Sequence, residues 1–366
     1  MAGTASAYVT AAQDKQAALA ASLPEKFTAL ETHYASDDRL ADLKEKFKAN
    51  ILASVGALAG DTKLVLMLVD LQNDFAMRDS ALYVEGGEDV ILSNMALLDA
   101  VEELHAADPT LAEHLAIMTT QDTHRYGREM AHPEAVSMTA AYGDAEAEAA
   151  VAKEQKELAA FNPANEQYGL HCLVGTPGVA IAQPIEDRLA LLAKIGITIV
   201  RIGKINFSAA VAGLAMVEGV DPASAEAAAM ESLFAEPLLT TQACLEDLNA
   251  GRVIATGICA NVCVEESACG LKECGFAAPV CVLDAATHFL VPPIPGVTLK
   301  TVHDTTAGHY AKLDIELVTV DGHGPNTGYL ESAAAAPTMP FAAEAIAEGS
   351  GGGAATSEPP HHDPVG

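Results

Sequence analysis

The spacing of apolar residues changes part-way along this chain. Over residues 1–60 it is helical, as in Leu40, Leu43, Phe47, Ile51 and Leu52, set among Ala, Glu and Lys. Two or three helices are expected there, with Pro24 opening one of them. Continuous apolar runs then take over. Residues 64–69 form such a run ending at Asp70, as expected of a strand buried on both faces. Similar runs recur at 115–119, 195–202, 253–256, 280–283 and 315–320, with helical stretches at 90–105, 185–194 and 240–249 between them. Strands alternating with helices predict a mostly parallel sheet covered on both faces. Chemistry in such sheets gathers beyond the carboxyl ends of the strands. From about residue 325 the composition collapses into Ala, Gly, Pro and Ser. The expected organisation is a helical extension over 1–60, one α/β domain over 61–325, and a low-complexity, disordered tail over 326–366. The tail's His361–His362 pair reads as solvated.

Composition narrows the function classes. Fifty acidic residues against twenty basic ones leave a net charge of −30. Nucleic acid and anionic membranes are therefore unexpected partners, because both require a basic surface. A surface this acidic also suits life at high salt. Length and a half-hydrophobic composition allow one large domain with appendages, or two domains. No apolar run is long enough to predict a membrane span, and residues 1–22 lack the pattern of a secretory signal, so a cytoplasmic location is expected. All seven cysteines but Cys172 fall within residues 244–281. An odd number, so clustered, suits reduced thiols better than a disulfide framework.

Cys263 stands out by position. It follows the run 253–256 across a turn of small residues and precedes a helical stretch beginning near Glu265. A thiol at a helix N-terminus meets unpaired N–H groups and the positive end of the dipole, which favour the thiolate. Taken alone, a buried core cysteine is the commoner reading. Polar groups at other strand ends change the balance. Asp70 ends the first run, where a cap is its commonest role. Asp122 and His124 lie two apart after the second, and so face one side of an extended chain. His132 is a possible third group beside them, His171 follows in a turn-rich loop, and Lys204 follows the run 195–202. Asp with two His suits Zn²⁺, Fe²⁺ or Mn²⁺. A lysine beside a carboxylate and a thiol can stabilise developing negative charge.

These pieces, in this order, resemble the isochorismatase-like cysteine hydrolases, and within them the nicotinamidase/pyrazinamidase branch. The matching segments are Val69-Asp70-Leu71-Gln72-Asn73-Asp74-Phe75, the stretch from Ser80 to Gly87, and Asp122-Thr123-His124. After them come the stretch from His171 to Gly178, Lys204, and Gly257 to Val264. The resemblance spans roughly residues 63–322 and implies a three-layer α/β/α fold. It further implies an Asp70–Lys204–Cys263 catalytic triad and one divalent ion, Zn²⁺ first, on Asp122, His124 and His171. The backbone N–H groups of Cys259 and Cys263 would form an oxyanion hole beside a cis Ile258–Cys259 peptide, with Phe75 and Tyr168 against the substrate. The implied activity is hydrolysis of nicotinamide, a step of pyridine nucleotide salvage, on a small-molecule amide; a homo-oligomer is left open. The chain departs from the family in three places. Tyr168 stands where Trp is usual, and His132 lies eight residues after His124 rather than six. An acidic, Ala-rich insertion also precedes His171, with a helix expected over 146–157.

Three other readings remain. One is a metal-free hydrolase of the same family acting on a carbamoyl, ureido or vinyl-ether substrate. Another is a silent scaffold that uses the N-terminal helices to bind partners. The last is a structural site on Cys259, Cys263, Cys269 and Cys274, whose spacings lack a C-x-x-C knuckle.

Overall fold

A computed structural model describes residues 2–123, 171–173, 175–204, 207–212, 214–217, 241–290 and 297–320. Helix α1 (Ala2–Ser36) and helix α2 (Asp38–Gly56) come first. The Asp37 side chain caps α2 by accepting from the Arg39 N–H. Pro24 lies inside α1 rather than at its start. It is exposed, while Leu19, Leu23 and Leu30 on the opposite side of the helix are buried. Burial of each is worth about 1.5–3 kcal/mol, which together outweighs the ~3 kcal/mol of an interior proline.

The sheet comprises β1 (Lys63–Val69), β2 (Leu115–Asp122), β3 (Thr198–Lys204), β4 (Leu214–Val217), β5 (Ala250–Ile258), β6 (Val280–His288) and β7 (Glu316–Val318). Their spatial order is β4-β3-β2-β1-β5-β6-β7. All neighbours are parallel except β3 and β4. Leu66 pairs with Ile117 on one side and Ile254 on the other, so β1 is central. The further helices longer than one turn among the described residues are α3 (Gly87–Ala107), α4 (Gln183–Lys194), α5 (Thr241–Asp247), α6 (Cys263–Glu273) and α7 (Leu299–Lys312).

Alternation along the strands splits the interior into two cores. Leu64, Leu66 and Leu68 join Ile117, Ile199 and Ile254 beneath side chains of α1 to α4. Val65, Met67 and Val69 join Met118, Ile202 and Ala255 beneath those of α5 to α7. This is the expected three-layer α/β/α arrangement, and α1 and α2 share one of its cores. One strand starts later than its apolar run. Ile195 ends α4, and Gly196, at φ +98°, turns the chain before β3 begins at Thr198. The short antiparallel β4 carried no expectation. Among the described residues no helix is long and apolar enough to cross a membrane.

Candidate active site

The chain runs outward from β1 through β2 and β3 to β4, then returns to place β5 on the other side of β1. The helices following β1 and β5 lie on opposite faces. A crevice therefore opens between the carboxyl ends of these two strands. Asp70 directly follows β1, Asp122 ends β2, Lys204 ends β3, and Cys263 opens α6 behind β5. Gly257 lets β5 approach β1 there. Its φ is +114°, and a Cβ on it would lie 2.0 Å from the Val69 carbonyl oxygen. The next peptide, Ile258–Cys259, is cis.

Lys204 is the hub of the buried groups. Its Nζ lies 2.7 Å from Asp70 Oδ2, 3.7 Å from Cys263 Sγ and 3.9 Å from Asp122 Oδ1. Asp70 and Lys204 are at most 1% exposed, whereas Cys263 keeps 8% of its surface open. Thr120 Oγ1 donates to Asp70 Oδ1 at 2.7 Å, fixing the carboxylate. Asp70 itself sits at φ +53°, a left-handed backbone that few non-glycine residues adopt.

Burial and charge act on each of these groups. Cys263 does occupy a helix N-terminus, yet burial pushes its thiol well above the ordinary value despite the Lys204 charge. Burial likewise raises the Asp70 carboxyl against the pull of Lys204, with Asp122 adding to the rise. Burial would lower Lys204, but Asp70, Cys263 and Asp122 together hold it above its usual range. Burial thus works against the charged form of the Cys263 thiol, while its acidic neighbours favour the charged form of Lys204.

Beside this group, His171 Nε2 lies 3.1 Å from Asp122 Oδ2. The Phe75 ring, 6% exposed, tilts against His171 at 5.6 Å between centroids. A carboxylate and an imidazole so placed fit part of a divalent-metal site. His124, His132, Tyr168 and the insertion over 146–157 lie outside the described residues, as does the tail. Among the described residues no group of three or more His, Cys, Asp or Glu is placed to hold a metal. Cys259, Cys263, Cys269 and Cys274 are likewise not gathered into a structural site; Cys259 is buried and Cys274 exposed.

Several supporting residues were given no role by the sequence. Gln72 is buried and ties two segments together. Its Nε2 donates to the carbonyls of Asp122 and Val179 at 2.7 and 2.8 Å, and its Oε1 accepts from the Asp122 N–H at 2.7 Å. Thr120 anchors Asp70 as described. Asp74, fully buried, accepts from the N–H groups of Ala81 and Cys172 and from the side chain of Gln16. Gln72 and Asp74 fall inside the first matching segment, so their positions were visible though their partners were not.

No protein-family model and no curated protein matches the chain. Solved structures similar to it include a Leishmania protein, PnC1 from L. infantum in complex with nicotinate, at 17% identity and a TM-score of 0.39. That match covers 72% of this chain and 96% of that one. The yeast nicotinamidase Pnc1p matches at 17% identity and a TM-score of 0.43, covering 70% of this chain and 99% of its own. The pyrazinamidase of Pyrococcus horikoshii in complex with zinc matches at 15% identity and a TM-score of 0.40, again over 70% and 99%. Likeness at these scores assigns no chemistry to this chain.

Proposed function

We propose that this chain is an amidohydrolase that converts nicotinamide and water to nicotinate and ammonia through a thioester on Cys263. The observation that carries the reading is the Lys204 ammonium, 2.7 Å from the Asp70 carboxylate and 3.7 Å from the Cys263 sulfur, with all three groups buried. Asp70 removes the thiol proton as sulfur attacks the amide carbonyl, and Lys204 stabilises the charge passing between them. The backbone N–H groups of Cys259 and Cys263 hold the developing oxyanion. Asp70 then returns the proton to the departing nitrogen, which leaves as ammonia. Water, deprotonated by Asp70, attacks the thioester, and the proton goes back to sulfur as the carboxylic acid is released. Asp122, His124 and His171 would hold a divalent ion, Zn²⁺ first, that orients the ring through its nitrogen. Phe75 lies against the His171 side of the site, where an aromatic ring would pack.

The test is ammonia release from nicotinamide by the purified protein and by Cys263→Ala. Release by the parent and none by the variant is expected. Equal release by both would remove Cys263 as the nucleophile. No release from the zinc-loaded parent would sink the substrate assignment.

A further inference from the structure

Helix α1 presents an apolar stripe of Leu19, Leu23 and Leu30 to the core, and Gln16 lies on the same face one turn earlier. Gln16 is only 5% exposed. Its Nε2 donates to both carboxylate oxygens of Asp74, at 2.9 and 3.0 Å, and its Oε1 accepts from the Gly178 N–H at 2.9 Å. Both polar atoms of this amide are thus engaged in one place, 58 residues away along the chain from Asp74. A buried polar group satisfied so fully specifies a geometry.

Asp74 passes that geometry to the site. Its Oδ2 accepts from the Cys172 N–H at 2.7 Å, and its Oδ1 from the Ala81 N–H at 3.2 Å. Its own N–H donates to the Gly178 carbonyl at 3.0 Å. Cys172 holds a left-handed backbone at φ +46°, which a non-glycine residue keeps only when its surroundings impose it. Gly178 lies so near that a Cβ there would be 2.0 Å from Asp74 Oδ2. The residue before Cys172 is His171, against Asp122, and the residue after Asp74 is Phe75, against His171.

We infer that Gln16 is a positioning residue, through which the N-terminal helix sets His171 and Phe75 by way of Asp74. The consequence for catalysis rests on the amidase reading; the coupling itself does not. The hydrogen bonds of Gln16 and Asp74 do not involve Asp70, Lys204 or Cys263, and the path continues toward them only through Asp122, 3.9 Å from Lys204, so the effect falls on substrate binding before the nucleophile.

The variant is Gln16→Met, similar in shape and without hydrogen-bonding capacity, in the full chain. Amide hydrogen exchange at Cys172 should accelerate about tenfold or more, while exchange in β1 stays unchanged. KM for nicotinamide should rise about tenfold, with kcat and the rate of Cys263 alkylation by iodoacetamide within about twofold of the parent. Gln16→Glu, which sets a carboxylate against Asp74, should do at least as much and serves if the first variant does not fold. Unchanged exchange at Cys172 in a folded variant would overturn the inference. So would equal acceleration at Cys172 and throughout β1, which marks general loosening, and so would a lowered kcat with KM unmoved. If the parent releases no ammonia, the amidase reading fails by itself, and exchange at Cys172 with alkylation at Cys263 still decides on Gln16.

Discussion

Lys204 is a cation held out of water by two carboxylates and a thiol, and removing it would leave the buried Asp70 carboxylate with Thr120 as its one side-chain donor among the described residues. Breaking a buried pair from one side typically costs 3–5 kcal/mol. Lys204→Met is therefore expected to lower unfolding free energy by about that amount in a urea titration and to abolish ammonia release. Thr120→Val removes the other anchor of Asp70. It should destabilise by about 1–3 kcal/mol and slow turnover with little change in KM, read from parallel denaturation and kinetic series. A separate residue makes stability depend on pH. Burial, with Glu88 beside it, pushes Asp89 up to about 6, against Arg39 and Arg78. The folded chain thus binds this proton more tightly than the unfolded chain, where a carboxyl titrates near 3.9. Its stabilising contribution is complete below about pH 4 and is lost as pH rises to about 6. Asp89→Asn should raise stability at pH 7.5 by roughly 1–2 kcal/mol, allowing for partial exposure, and change little at pH 4. Melting curves at the two pH values check this.

At the level of elements, two residues go against local preference and make opposite predictions. Pro24 deprives α1 of one backbone donor on an exposed face. Pro24→Ala should stabilise by about 1–3 kcal/mol, visible as a higher Tm. Gly257→Ala should do the reverse. It combines a left-handed φ with a Cβ placed 2.0 Å from the Val69 carbonyl oxygen, and soluble yield and Tm should both fall. These cases show what the sequence makes legible. Most strands are visible as apolar runs, and the polar residues that follow three of those runs point to Asp70, Asp122 and Lys204. Pro24 was misplaced because only tertiary burial of Leu19, Leu23 and Leu30 reveals why the helix runs through it. β4 is too short for a period to be read from it. The raised Cys263 thiol and the Gln16–Asp74 bond depend on packing between distant segments, for which no local pattern exists.

The whole molecule carries a charge of −30, and part of its acidity is tied up between helices of one layer. Arg188 on α4 reaches Glu31 of α1 and Asp99 of α3, each at 2.7 Å. The remaining excess repels itself, so Tm should climb as salt is raised from about 0.05 to 1 M, where screening shortens to about 3 Å. A melting series in NaCl measures the climb; a flat or falling series would mean that local pairs such as these dominate instead. The sheet order has a further consequence, for the chain as it is made. β1 and β2 emerge early, but β5, which covers the other edge of β1, follows only after β3, β4 and α5. Until then the nascent chain presents an open apolar strand edge, the kind that invites association with other chains. The strand that closes this edge is followed directly by Cys263. A truncated translation product ending before Cys263 carries Asp70 and Lys204 without the sulfur, so under the proposed mechanism only a chain whose central strand can be paired on both sides holds all three groups.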